Sequence, residues 1–131
     1  MLYLLDTNTA SFAIKGNVPR VRQRLASVPI AQVAISVVTE AELLFGVARR
    51  PQATRLKLVV HEFFLRVQVL SWDSTAARSY AVLRTMLERQ GTPIGSLDLL
   101  IAAHALAVGA HLISSDRVFR NVKGLKVEDW S

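Results

Sequence analysis

The chain has 131 residues, a length that fits one domain with one core, spanning 1–131. Its 51% apolar and 20% charged residues describe a globular protein and exclude a disordered one. The net charge of +6 points to a polyanionic partner, and the absence of cysteine excludes a disulfide framework and a thiolate zinc site.

The predicted elements alternate in type. Leu2 to Leu5 is a short apolar run that reads as a buried strand. Thr7 to Ile14 is a short helix candidate, and Pro19 opens a second helix through Leu25 from a favoured first-turn position. Val33 to Ser36 is the second strand. Thr39 to Arg49 is helical and Pro51 stops it. Ala53 to Arg66 repeats apolar residues at helical spacing, with Leu56, Val59, Val60, Phe63 and Phe64. Val67 to Leu70 is the third strand, and Thr75 to Gln90 a helix ended by Gly91. Ser96 is placed to cap a helix from Leu97 to Val108, with Gly109 after it. His111 to Ser114 is the fourth strand, and Leu125 to Val127 adds a short fifth.

Strands separated by helices imply an α/β domain. Its centre is a parallel, twisted sheet of four to five strands, with helices on both faces. The longest stretch without formal charge, Leu99 to Ser115, is shorter than the ~20 residues a membrane span needs. The start of the chain lacks a basic region and meets Asp6 at once, unlike a signal peptide. The expectation is a cytoplasmic protein with no membrane contact.

In such sheets the functional crevice lies beyond the carboxyl ends of the strands. Asp6 ends the first strand, Glu42 follows the second, Asp98 sits in the first turn of a helix, and Asp116 follows the fourth strand. All four can meet at one edge. Four carboxylates with no histidine pair nearby suit an oxygen-ligand site for a hard divalent cation. Each also has a structural alternative. Asp6 can cap the next helix. Thr39 and Glu42 are spaced as a capping box. Asp98 is where a helix dipole favours negative charge. Asp116 can start a turn. The shared edge does not choose between these readings, because helix starts face that edge in any such sheet.

Twelve of the sixteen basic residues fall in three segments without an acid. They are Lys15, Arg20, Arg22 and Arg24; Arg49, Arg50, Arg55 and Lys57; and Arg117, Arg120, Lys123 and Lys126. The middle segment is the most concentrated and the candidate for nucleic-acid contact; the alternative is that helical surface arginines only keep an apolar protein soluble. His61, His104 and His111 are scattered, and His104, inside an apolar helix, reads as a packed or capping residue. Trp72 and Trp130 read as packing residues. Ser114 and Ser115 lack a histidine–acid pair for nucleophile activation.

The motifs run in a distinctive series: L-L-D-T-N, then S-x-x-T-x-A-E-L-x-x-G, then G-x-P-I-G-x-x-D-x-L-I-A-A-H-A-L, then L-I-S-S-D-R-V-F, then G-L-x-V-E-D-W. This series resembles PIN-domain ribonucleases, above all the VapC toxins of bacterial toxin–antitoxin pairs. It covers Leu2 to Trp130, and the segment Gly91 to Leu106 is its most specific part.

The resemblance implies that Asp6, Glu42, Asp98 and Asp116 are the acids of a catalytic site. Asp6 and Asp98 would ligate Mg²⁺, or Mn²⁺, with Asp116 helping directly or through water. Glu42 would position or deprotonate the attacking water. Thr7 and Asn8 would orient Asp6 by hydrogen bonds. Glu40 is not the match, because it lies about 200° from Glu42 around a helix of 3.6 residues per turn. Thr9 stands where a branched apolar residue is common, a departure expected to touch packing only. The residue at Asp116 varies in the family. The resemblance also implies endonucleolytic cleavage of a structured tRNA or rRNA loop, a homodimer, and a VapB-type antitoxin as inhibitor. Two other classes fit parts of the chain. An aspartyl phosphatase would want a second aspartate where Asn8 stands. A non-catalytic RNA-binding module would not need four acids at one edge.

Overall fold

The first strand, β1 (Tyr3–Leu5), lies at the centre of the sheet. In the computed structural model, which describes residues 1–131, five parallel strands are ordered β3-β2-β1-β4-β5. They are β1, β2 (Val33–Ser36), β3 (Gln68–Leu70), β4 (His111–Ile113) and β5 (Val127–Glu128). Six α-helices connect them: α1 (Thr7–Lys15), α2 (Pro19–Ser27), α3 (Val37–Ala48), α4 (Thr54–Arg66), α5 (Ser74–Gln90) and α6 (Ser96–Val108).

The pleat explains the two-sided core. Leu4 and Leu5 are both fully buried, but they belong to different clusters. Leu4 joins Ala34 and Leu112 against Leu83, Leu87, Ile101 and Ala105 of α5 and α6. Leu5 joins Ile35 and Ile113 against Ala10, Val21, Leu43, Val60 and Phe63 of α1 to α4. Successive strand residues face opposite sides, so continuous apolar strands need helices on both. Each such leucine contributes roughly 1.5–3 kcal/mol on burial.

Register places the candidate acids. Leu5 is opposite Ile35 on one side and Ile113 on the other. The next residues, Asp6, Ser36 and Ser114, therefore emerge together at the carboxyl edge.

Several boundaries differ from expectation. The helix expected from Thr39 begins at Val37, because the Ser36 side chain caps it by accepting from the Val38 N–H at 3.1 Å. Thr39 and Glu42 therefore do not form a capping box. Ser96 is the first residue of α6 rather than its cap; Gly95 precedes the helix and makes no side-chain cap bond. The fifth strand lies at Val127–Glu128, where β4 offers pairing partners, and not at Leu125 to Val127. The expected third strand begins at Gln68, with Val67 buried at the end of α4. Two 3-10 turns, Ile30–Gln32 and Arg117–Asn121, have no periodic signal to announce them. Gly109 ends α6 at φ 67°, a left-handed conformation that lets the chain enter β4 two residues later. No helix is long and apolar enough to cross a membrane.

Candidate active site

Asp6 is 4% exposed, and the protein holds both of its carboxylate oxygens. Oδ1 accepts from the Thr9 N–H at 2.9 Å, which caps α1. Oδ2 accepts from the Ser114 hydroxyl at 2.6 Å. Ser114 Oγ in turn accepts from the Asp116 N–H at 3.0 Å. One buried serine thus connects the first acid to the loop carrying the fourth. The Asp116 side chain is exposed and accepts from the Val118 N–H at 3.0 Å, capping the 3-10 turn. The structural alternatives for Asp6 and Asp116 are therefore real, and both residues still stand at the shared edge.

Glu42 is oriented from α1. Thr7 donates its hydroxyl proton to Glu42 Oε1 at 2.6 Å. That proton is then committed, so the 3.2 Å bond between Thr7 and Thr39 has the buried Thr39 as donor.

Asp98 senses the whole cluster. It sits in the first turn of α6, where the helix dipole favours negative charge. Its carboxyl is nevertheless held above the usual carboxylate range. Burial is the main cause, followed by the charges of Asp116, Asp6 and Glu42. The same three acids that the sequence points to are the ones that perturb the fourth; Glu40 is not among them. As the side chains stand, no three His, Asp or Glu residues are close enough to hold a metal ion. The acids are within Coulombic reach of one another but are not closed around a point. As a donor set, four carboxylates and no thiolate suit a hard oxygen-seeking dication.

A cavity of about 200 Å³ opens beside Glu42. Thr7, Asn8 and Glu42 line one part, and Lys15, Arg49 and Arg50 another. The Arg49 guanidinium also stacks on the Phe45 ring at 5.4 Å. Arg55 and Lys57, predicted to act with Arg49 and Arg50, are exposed on α4 and do not line this cavity.

Residues 3–125 match the family model described as PIN domain. The chain is 37% identical over 130 residues to the tRNA(fMet)-specific endonuclease VapC of Shigella flexneri, covering 98% of each. It is 32% identical to Ribonuclease VapC2 of Rickettsia felis, covering 99% of this chain and 98% of that one. The chain belongs to the PIN-domain family, in its VapC branch. Solved structures agree over the whole length of both chains. DNA-bound VapBC from Salmonella typhimurium superposes with a TM-score of 0.92 at 35% identity. VapBC2 from Rickettsia felis, bound to a DNA fragment from its promoter, gives 0.91 at 31%.

Within this PIN domain, some expected roles change. Thr7 does not orient Asp6, because its proton goes to Glu42. Asn8 is exposed on the cavity wall. Asp6 is oriented by Thr9 and Ser114 instead. Thr9 does more than pack: its hydroxyl also donates to the Ile113 carbonyl at 3.0 Å, fastening α1 to β4. Ser114 acts as a clamp rather than a nucleophile; its place two residues before Asp116 is the sequence signal that marks it. Trp72 is a packing residue as expected, half-buried with its indole N–H on the Leu100 carbonyl.

Proposed function

We propose that this protein is a divalent-metal-dependent endoribonuclease toxin that hydrolyses structured RNA. The observation that carries the reading is the gathering of Asp6, Glu42, Asp98 and Asp116 at one edge of the sheet, near enough for the other three charges to add to burial in raising the Asp98 pKa. Like charges gathered at a sheet edge are unfavourable alone and become favourable around a cation. Mg²⁺ or Mn²⁺, when bound, would neutralise charge on the scissile phosphate and make water a stronger nucleophile.

Asp6 and Asp98 are the residues that would hold the ion, with Asp116 reaching it directly or through water. Asp6 suits this role because Thr9 and Ser114 fix its orientation. Glu42 orients or deprotonates the attacking water. Its unshared oxygen is free to do so, since Thr7 donates to Oε1. Lys15, Arg49 and Arg50 hold phosphates that flank the scissile bond, along the cavity that begins at Glu42.

The relative named as a tRNA(fMet)-specific endonuclease favours a tRNA over an rRNA loop as substrate. The VapBC structures support a VapB-type antitoxin as the inhibitor. Phe45, Leu58 and Leu65 are 64%, 65% and 87% exposed, apolar surface that supports association in a homodimer and with the antitoxin. The proposed RNA target supports a cytoplasmic site of action.

The test is to incubate the purified protein with folded initiator-tRNA and rRNA-loop transcripts in Mg²⁺ and to map the new ends. A discrete cut in one RNA supports the reading. Intact RNA under all metal conditions refutes it.

A further inference from the structure

Ser36 and His104 form a polar pair in an otherwise apolar part of the core. They are 0% and 1% exposed, 68 residues apart in sequence, and His104 Nδ1 lies 2.7 Å from Ser36 Oγ. Buried polar groups cost stability unless satisfied, and a satisfied pair fixes one arrangement of the elements that carry it.

The Ser36 hydroxyl accepts from the Val38 N–H and caps α3. Its single proton is then free to donate to His104 Nδ1. Burial, which lowers the His104 pKa against a smaller opposing pull from Asp73, agrees with a neutral ring. One side chain of α6 thus joins the β2–α3 junction.

The position of this link matters. Ser36 is six residues before Glu42, and His104 is six residues after Asp98. At 1.5 Å per residue each is about 9 Å along its helix from the acid. The link joins the start of α3, the helix that presents Glu42, to α6, the helix that presents Asp98. We propose that the Ser36–His104 hydrogen bond is a positioning strut that sets the separation of Glu42 and Asp98. This rests on the reading that both acids belong to the nuclease site.

The test compares substitutions that keep different halves of the imidazole. His104→Asn retains an acceptor where Nδ1 stands. His104→Gln places its amide where Nε2 stands and removes the acceptor for Ser36. His104→Phe removes both. Two quantities are read for each: kcat and KM on one RNA with Mg²⁺, and the affinity for Mn²⁺ alone by calorimetry. The strut predicts that kcat falls roughly 10- to 100-fold in the Gln and Phe variants, the scale seen when a group orienting a metal ligand is removed. Mn²⁺ affinity falls with it, KM stays within about twofold, and Asn restores most of the activity. If the Phe variant fails to fold, the contrast between Asn and Gln carries the comparison. A Gln variant equal to wild type in kcat and Mn²⁺ affinity overturns the strut while leaving the nuclease reading intact. So does an Asn variant as impaired as Gln, with impairment tracking melting temperature. A wild type that neither cleaves RNA nor binds Mn²⁺ overturns both.

Discussion

Ser114 Oγ lies 2.6 Å from Asp6 Oδ2, so the residue after β4 clamps the acid after β1. Both are buried, and the bond is to a charged acceptor. Such bonds contribute about 1.5–3 kcal/mol. Ser114→Ala should lower unfolding free energy by about 2 kcal/mol in urea titrations. It should also reduce cleavage roughly 10- to 100-fold through loss of orientation. Unchanged cleavage in a destabilised variant would limit Ser114 to a structural role.

Thr7 and Glu42 give a cleaner separation of shape from proton. Thr7→Val keeps the branched side chain and removes the hydroxyl that donates at 2.6 Å. Thr7→Ser keeps the donor. The expected outcome is a kcat reduction of roughly tenfold or more in Val and near wild-type kcat in Ser. Equal kcat in the two variants would contradict the assigned role of the hydroxyl.

Asp98 links the site to stability. Its raised pKa means that the folded chain binds a proton more readily than the unfolded chain. The charged form is therefore destabilising at neutral pH, and stability is regained as pH falls through the raised folded value. Asp98→Asn removes that charge. Without metal the variant should melt above wild type at neutral pH, with the gap closing in acid. Mg²⁺ at ten times its dissociation constant should stabilise wild type by roughly 1.4 kcal/mol, and the variant far less. An aspartate that serves only the helix dipole predicts the opposite sign, a decrease of about 0.3–1 kcal/mol on neutralisation. Melts of both proteins in EDTA and in Mg²⁺ separate the two.

The repeating apolar runs make the sheet and its helices readable, because strand and helix periods differ and both faces of the sheet are buried. Boundaries are harder. Val37 and Val38 are β-branched and look like a continuing strand, so only the Ser36 cap reveals where α3 starts. The acids are legible as residues but their supports are not. Thr7 and Glu42 are 35 residues apart, and Ser114 and Asp6 are 108 apart. Hydrogen bonds across such separations follow from strand register, which no local pattern encodes. The expectation that Thr7 serves its neighbour Asp6 fails for that reason.

The basic residues divide by geometry. Arg49 and Arg50 share a cavity with Glu42, whereas Arg55 and Lys57 lie exposed on α4. Charge reversal at Arg49 and Arg50 should weaken RNA binding. It should also lower the logarithmic salt slope by ~0.7 for each phosphate of single-stranded RNA that is no longer neutralised. The Arg55 and Lys57 reversals should change the slope less. Salt titrations of RNA binding to both double variants test this, and equal slopes would remove the cavity from the RNA path.

The most direct test of the acidic site is the initial rate of RNA cleavage by wild type, Asp6→Asn and Asp98→Asn in Mg²⁺, in Mn²⁺ and in EDTA. Each substitution keeps the side chain's shape and removes one charge. Wild type should cleave with metal and not in EDTA. Both variants should be slower by at least ~1000-fold, about 4 kcal/mol of transition-state stabilisation. Cleavage by wild type in EDTA, or wild-type rates from both variants in preparations free of contaminating nuclease, would contradict an acidic metal-dependent site.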